Sequence, residues 1–185
     1  DLSGGKMTDI SFEYHSDFPA PGYVEQDPET WKEAAIYCLQ GVGGYVKAHG
    51  IRPEAIAVTS QRSSLIPADK KGRAWQDKRT IPQCSQLSSE YTLKSLYLKT
   101  GLRINPYFVL PKILWLRENQ REIYNSAFKF LGVQDYVIHC LTGEYKTDCS
   151  QACRTMLMNI ETFRWDQELL NIAGISENML PELLP

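Results

Sequence analysis

Short apolar runs bounded by polar residues alternate along the chain with stretches that repeat apolar positions at helical spacing, a combination that suits an α/β sheet covered by helices. Residues 7–14 carry partly alternating apolar side chains behind Ser3-Gly4-Gly5-Lys6, which has hairpin-turn chemistry. This predicts a strand whose hairpin partner would precede Asp1. Asp27 is placed to cap a helix, with Pro28 in its first turn and Glu29 at its positive end. Trp31, Ala35, Cys38, Leu39, Val42 and Val46 then share one face. Gly41, Gly43 and Gly44 weaken that helix unless something packs closely on it, and Gly50 ends it.

Residues 55–59, apolar and partly β-branched, predict a buried strand, and residues 64–67 with the Asp69-Lys70-Lys71-Gly72 turn predict a following strand and hairpin. Residues 81–100 predict one helix with Leu87, Tyr91, Leu96 and Leu98 as apolar contacts in imperfect phase. Pro111 opens another carrying Ile113, Leu114, Trp115 and Leu116. Residues 136–141 fit a buried helix or a strand equally, and Thr142-Gly143 closes the run. Asp166 caps a last clear helix stopped by Gly174, and Ser176 caps a short turn before Pro181. Neither an internal repeat nor a dividing linker is visible, so residues 1–185 read as a single domain.

The 185 residues are 43% apolar, enough for a sizeable core. A net charge of −2, with both signs mixed, offers no basic face to nucleic acid and no Lys/Arg run to a membrane surface. The longest apolar run, residues 108–116, is broken by Pro111 and Lys112 and falls short of a membrane span, and residues 1–6 hold no hydrophobic signal core. Five cysteines without a Cys-x-x-Cys pair read as reduced thiols of a cytoplasmic protein, packed in the fold rather than ligating metal.

In open α/β sheets ligands bind beyond the carboxyl ends of strands, and Gln61-Arg62 directly follows the best candidate strand. Arg62 offers a fork of donors for sugar hydroxyls or a carboxylate, Gln61 can donate and accept, Trp75 supplies a flat face, and Asp77 could accept from two adjacent hydroxyls. The plain alternative is a surface arginine, a core tryptophan and a turn aspartate. His15, His49 and His139 are scattered, with no ligand partner at metal spacing. No Gly-x-Ser-x-Gly appears, and Gly41-Val42-Gly43-Gly44 lies inside a helix rather than at a phosphate loop.

One ordered set of motifs goes further. Tyr23-Val24-Glu25-Gln26-Asp27-Pro28, Ser60-Gln61-Arg62, Trp75-Gln76-Asp77-Lys78-Arg79-Thr80, Thr100-Gly101-Leu102, Pro106-Tyr107-Phe108 with Lys112, Thr147-Asp148 through Arg154-Thr155, and Trp165-Asp166 follow one another. Together they resemble the amino-terminal domain of an FGGY-family carbohydrate kinase over almost the whole chain. The resemblance implies an actin-like, ribonuclease H-like ATPase domain, a mixed sheet flanked by helices, with ATP and Mg2+ bound between it and a carboxy-terminal domain of the same chain. It implies phosphorylation of a hydroxyl of a small ketose or polyol, xylulose-, ribulose- or glycerol-like. The substrate residues it implies are Arg62, Trp75 and Tyr107, beside Gln61, Ser63 and Asp77, and a homodimer is compatible with it.

Against the family pattern, the phosphate-contacting Asp-x-Gly-Thr loop would have to precede Asp1. The Gly-Asp-Gln segment with the catalytic base would have to follow Pro185. Only Arg73 and Ala74 separate the Asp69–Gly72 turn from Trp75, where the family has several residues. The expectation is therefore part of a longer enzyme, inactive alone; the alternative is a non-catalytic actin-like module that binds a sugar or a partner. Glycerol kinases usually carry Glu where this chain has Ser63, and xylulose kinases usually carry Met-His where it has Gln61-Arg62, so the resemblance favours no single sugar.

Overall fold

A computed structural model describes residues 4–68, 74–75 and 79–184, with backbone only at Ala74, Trp75 and Leu93. The Asp69–Gly72 turn and Asp77 lie outside the described residues. A short strand, β1 (Glu25–Gln26), leads into α1 (Pro28–Ala48), which starts where the Asp27 carboxylate accepts the Glu29 amide at 3.0 Å. Gly50, at φ 63°, follows its end. On the expected face Trp31 is buried and Ala35, Cys38, Leu39, Val42 and Val46 are half-buried. The close packing expected at the helix glycines occurs at Gly41, where an added Cβ would stand 3.0 Å from Ile10, and not at Gly43 or Gly44, where it would meet nothing within 4 Å among the described residues. Phe12 and Tyr37 pack alongside, with ring centroids 5.4 Å apart.

Two expected strands are not formed. Residues 7–14 run along α1 with no ladder partner among the described residues; the adjoining contact is an antiparallel bridge between Asp17 and Glu25. Residues 55–59 likewise have no partner strand among the described residues, and Ile56 is 65% exposed rather than buried. An apolar, β-branched run makes the chain extended, but a strand takes its hydrogen bonds from a neighbour.

The strand expected after residue 63 is β2 (Ile66–Ala68). Among the described residues its antiparallel partner is β4 (Lys129–Leu131), and β3 (Ala74–Trp75) pairs antiparallel with β1, while the turn expected between β2 and β3 lies outside the described residues. The single helix expected over 81–100 divides into α2 (Ile81–Glu90) and α3 (Leu93–Thr100). Tyr91 is extended (φ −123°, ψ 138°), and the Thr92 hydroxyl then accepts the Ser95 amide at 3.2 Å to restart the helix. That reset explains the imperfect phase. Leu87 and Leu96 are buried, while Leu98 is exposed.

Helix α4 (Val109–Asn119) begins before Pro111, which thus occupies the first turn, where its missing N–H costs nothing. Every side chain from Val109 to Leu116 is buried. After α5 (Arg121–Ser126), α6 (Val133–Thr142) settles residues 136–141 as helix, ended by Gly143 at φ 79°. β5 (Lys146–Asp148) and α7 (Cys149–Ala152) precede the antiparallel pair β6 (Met158–Asn159) and β7 (Arg164–Trp165). Helix α8 (Gln167–Ala173), a 3-10 turn (Glu177–Met179) and β8 (Glu182–Leu184), parallel to β5, complete the order. Ser176 does not cap that turn through its side chain, which instead bonds the side chain of Asn178.

The main core joins α2, α3, α4 and α8 through Leu87, Leu96, Leu110, Leu116, Leu169 and Leu170, and a smaller cluster of Trp31, Ile66, Leu131 and Val133 holds α1 to the β2–β4 pair. The five cysteines are half-buried free thiols. Among the described residues no helix is long and apolar enough to cross a membrane.

Asp166 illustrates how local charge is used. Burial pushes its carboxyl up, but hydrogen bonds from Asn159, Lys99 and the Leu169 amide outweigh this and hold it below the usual value of 3.8. A carboxyl lowered by folding contributes stability above its unfolded pKa and loses it as pH falls through the lower folded value. Asp166→Ala, which also removes the cap on the Glu168 and Leu169 amides, should cost about 1 kcal/mol at pH 7. The difference in urea midpoint from the parent should shrink as the pH approaches 3; an equal difference at both ends would assign the loss to packing alone.

Candidate functional site

The segment predicted to carry chemistry links residues 51–60, which form no helix or strand, to β2, and it is held from three sides. The Tyr107 hydroxyl donates to the Arg62 carbonyl at 3.1 Å. Lys112 Nζ donates to the Ser63 carbonyl at 2.6 Å. The Ser63 hydroxyl donates to the Arg154 carbonyl at 3.3 Å. Between them Ser63 adopts φ 69°, a left-handed conformation that a non-glycine residue keeps only where its surroundings impose it.

Gln61 sits on the other flank, its Nε2 donating to Gln26 Oε1 and to Ser64 Oγ, both at 3.0 Å. With both amide hydrogens engaged, the Gln61 side-chain oxygen remains as an acceptor, with no partner among the described residues. Gln26 belongs to β1, whose register sets Glu25 opposite Trp75. The Gln61 amide therefore ties the Ser60-Gln61-Arg62 and Trp75 motifs through one short strand pair.

Arg62 itself is exposed, and its guanidinium has no ion-pair or hydrogen-bond partner among the described residues. Tyr107 is 38% exposed, its amide accepted by Asn105 Oδ1 at 3.0 Å and its ring set edge-on to Phe108. A concavity of about 260 Å³ opens beside Gln61, lined also by Tyr14, Trp31 and Val58. The larger cleft, about 1120 Å³ along β7 and β8, shares no lining residue with Gln61, Arg62 or Tyr107.

Of the expected site residues, Tyr107 and Arg62 are joined by a hydrogen bond, Gln61 adjoins Arg62 in the chain and bonds Gln26 and Ser64 instead, and the Trp75 backbone stands opposite Glu25 in the strand pair that Gln26 belongs to. Ser63 turns inward, only 7% exposed, so in this structure it shapes the turn rather than offering its hydroxyl to solvent. Arg79, next to the residues outside the description, is fixed by Glu25 at 2.9 Å and lies 3.8 Å over the Tyr23 ring.

Sequence reasoning named Gln26, Lys112 and Arg154 only as members of the family motifs and gave none of them a role at the site. Lys112 had a signal: a lone lysine inside the apolar stretch of α4. Below the turn, Asp135 starts α6 by accepting the Gly132 amide at 2.7 Å, and burial raises its carboxyl above the usual range. Its second oxygen is buried and accepts no hydrogen bond of ordinary geometry among the described residues, beside a cavity of about 30 Å³ that Thr147 also lines and that reaches Ser63 and Ser64.

Residues 4–185 match the FGGY family of carbohydrate kinases, N-terminal domain. The glycerol kinase of Thermococcus onnurineus is 37% identical over 182 residues, covering 93% of this chain and 37% of its own length. The xylulose kinase of Lactococcus lactis is 33% identical over 190 residues, covering all of this chain and 38% of its own. Among solved structures, ligand-bound xylulose kinase from Lactobacillus acidophilus superposes with a TM-score of 0.89 at 27% identity, over 100% of this chain and 38% of that one. Plasmodium falciparum glycerol kinase with ADP gives 0.83 at 28%, over 93% and 37%. The chain thus spans less than two fifths of the length of these relatives.

Proposed function

As the chain belongs to the FGGY family of carbohydrate kinases, we propose that its protein transfers the γ-phosphoryl group of Mg-ATP to a hydroxyl of a small ketose or polyol. The observation that carries this reading is the match over nearly the whole chain to both glycerol and xylulose kinases. Support for the enzyme over a non-catalytic module comes from the same relatives. A second domain of the same protein would complete the cleft.

Within this chain the proposed work is binding and orientation. Arg62 presents several donors on an exposed side chain, and the Gln61 oxygen accepts, so adjacent hydroxyls can be gripped with opposite polarity. Tyr107 borders them, and Trp75 and Asp77 are proposed to add a face and a further acceptor. Ser63 contributes by holding the turn. Oriented binding lowers the barrier by fixing the attacking hydroxyl, the main protein contribution in phosphoryl transfer.

The nucleotide and Mg2+ find no ready site among the described residues: no three His, Cys, Asp or Glu side chains gather as metal ligands, and Gly41, Gly43 and Gly44 are interior to α1. We infer that both are held in the cleft between this domain and a second domain of the same protein, as the family resemblance implies. The test is a screen of the full-length protein with glycerol, xylulose, ribulose and related sugars, following ADP release. Turnover with one of them is expected, and no turnover with any would overturn the proposal.

A further inference from the structure

We propose that Lys112 is a positioning residue that sets the affinity for the acceptor sugar, although it does not touch it. The inference rests on the reading of Arg62 as a sugar-binding residue. Lys112 is fully buried on α4, a helix whose every side chain from Val109 to Leu116 is buried. A cation in such surroundings is retained only where strong acceptors compensate its lost hydration. One acceptor is the Ser63 carbonyl at 2.6 Å, on the residue directly after Arg62. The same ammonium lies 5.9 Å from the centre of the Tyr107 ring, whose hydroxyl holds the Arg62 carbonyl at 3.1 Å.

Lys112 therefore grips one carbonyl of the turn directly and stands beside the side chain that grips the other. Between the two grips Ser63 keeps its left-handed conformation, φ 69°, which an unconstrained serine seldom adopts. The exposed Arg62 side chain has no partner of its own among the described residues, so its direction follows from the backbone beneath it. A point-charge donor on the rigid main-core helix thus passes the position of α4 to the sugar-binding turn. A turn released from Lys112 would sample several conformations, and the acceptor would bind only the fraction that points Arg62 correctly.

The test compares variants of the full-length protein by steady-state kinetics and thermal melting. Lys112→Met keeps the side-chain length without the donor; it should raise the acceptor KM about tenfold or more and leave the ATP KM unchanged. Adding Ser63→Gly to Lys112→Met should recover about threefold of that loss, because glycine adopts the left-handed turn without being held. Should Lys112→Met fail to fold, Lys112→Arg, which keeps the charge but moves the donor, carries the same prediction.

An unchanged acceptor KM in a folded Lys112 variant, beside a raised one in Arg62→Ala, overturns the positioning role and leaves the sugar-binding reading standing. Equal losses in both KM values and in the melting temperature, with no recovery by glycine, reduce Lys112 to a structural residue. An unchanged acceptor KM in Arg62→Ala removes the reading itself, and this inference with it.

Discussion

Trp165→Ala should remove about 3–5 kcal/mol from the folded state, the cost of deleting a large buried aromatic side chain and leaving a cavity. Trp165 lies in β7, 9% exposed, within the main core, and its indole N–H donates to the Pro181 carbonyl at 3.1 Å across 16 residues of chain. Its backbone opposes Met158, and the next amide, Asp166, donates to the Leu157 carbonyl at 2.9 Å. Truncation therefore empties core volume and also orphans a buried carbonyl, which adds its own desolvation cost. Against the 5–15 kcal/mol typical of a whole domain, that loss is a large share. In urea titrations of the full-length protein followed by far-UV circular dichroism, the transition of this domain should move to markedly lower urea with its slope unchanged. A shift worth less than about 1 kcal/mol would mean that the Trp165 pocket collapses on truncation instead of staying open.

What could be read from the residues alone divides along the range of the interactions. Asp27, Asp166, Gly143 and Gly174 act on the backbone within a few positions of themselves, so their caps and stops were legible and stand in the structure. Thr92 is an equally local signal, but it lay inside an apolar pattern long enough to suggest one helix, and only its bond to the Ser95 amide shows the restart. Residues 55–59 misled because β-branching records a preference for extended backbone and not the presence of a neighbour. The β2–β4 and β1–β3 pairings join segments about 50 residues or more apart, and nothing in either segment names its partner.

The site was legible to a different depth. Gln61, Arg62 and Tyr107 came from position after a candidate strand and from family motifs, and a hydrogen bond from the Tyr107 hydroxyl reaches the Arg62 carbonyl. The left-handed Ser63 could not be foreseen, because serine rather than glycine occupies the turn and the groups bonded to it, Lys112 and Arg154, come from distant parts of the chain. A lysine inside α4 reads as a defect in an apolar helix until the carbonyl that it serves is known.

Arg62→Ala is the second large effect, and it falls on catalysis rather than folding. The side chain is exposed and unpaired among the described residues, while the backbone carbonyl that Tyr107 holds is kept by alanine. The melting temperature should therefore stay within a degree or two of the parent, as surface substitutions usually change stability by less than 0.5 kcal/mol. A hydrogen bond to a charged group is worth about 1.5–3 kcal/mol, which corresponds to roughly 10- to 150-fold in kcat/KM for the acceptor. The loss should appear mainly as a raised acceptor KM, with kcat lowered to the extent that Arg62 also aligns the attacking hydroxyl, and with the ATP KM little changed. Assays of the full-length protein at saturating ATP, and then at saturating acceptor, separate these contributions. If the acceptor KM is unchanged while the protein remains folded, Arg62 is an ordinary surface arginine, and the sugar must be bound through residues other than those of the Gln61–Ser63 turn.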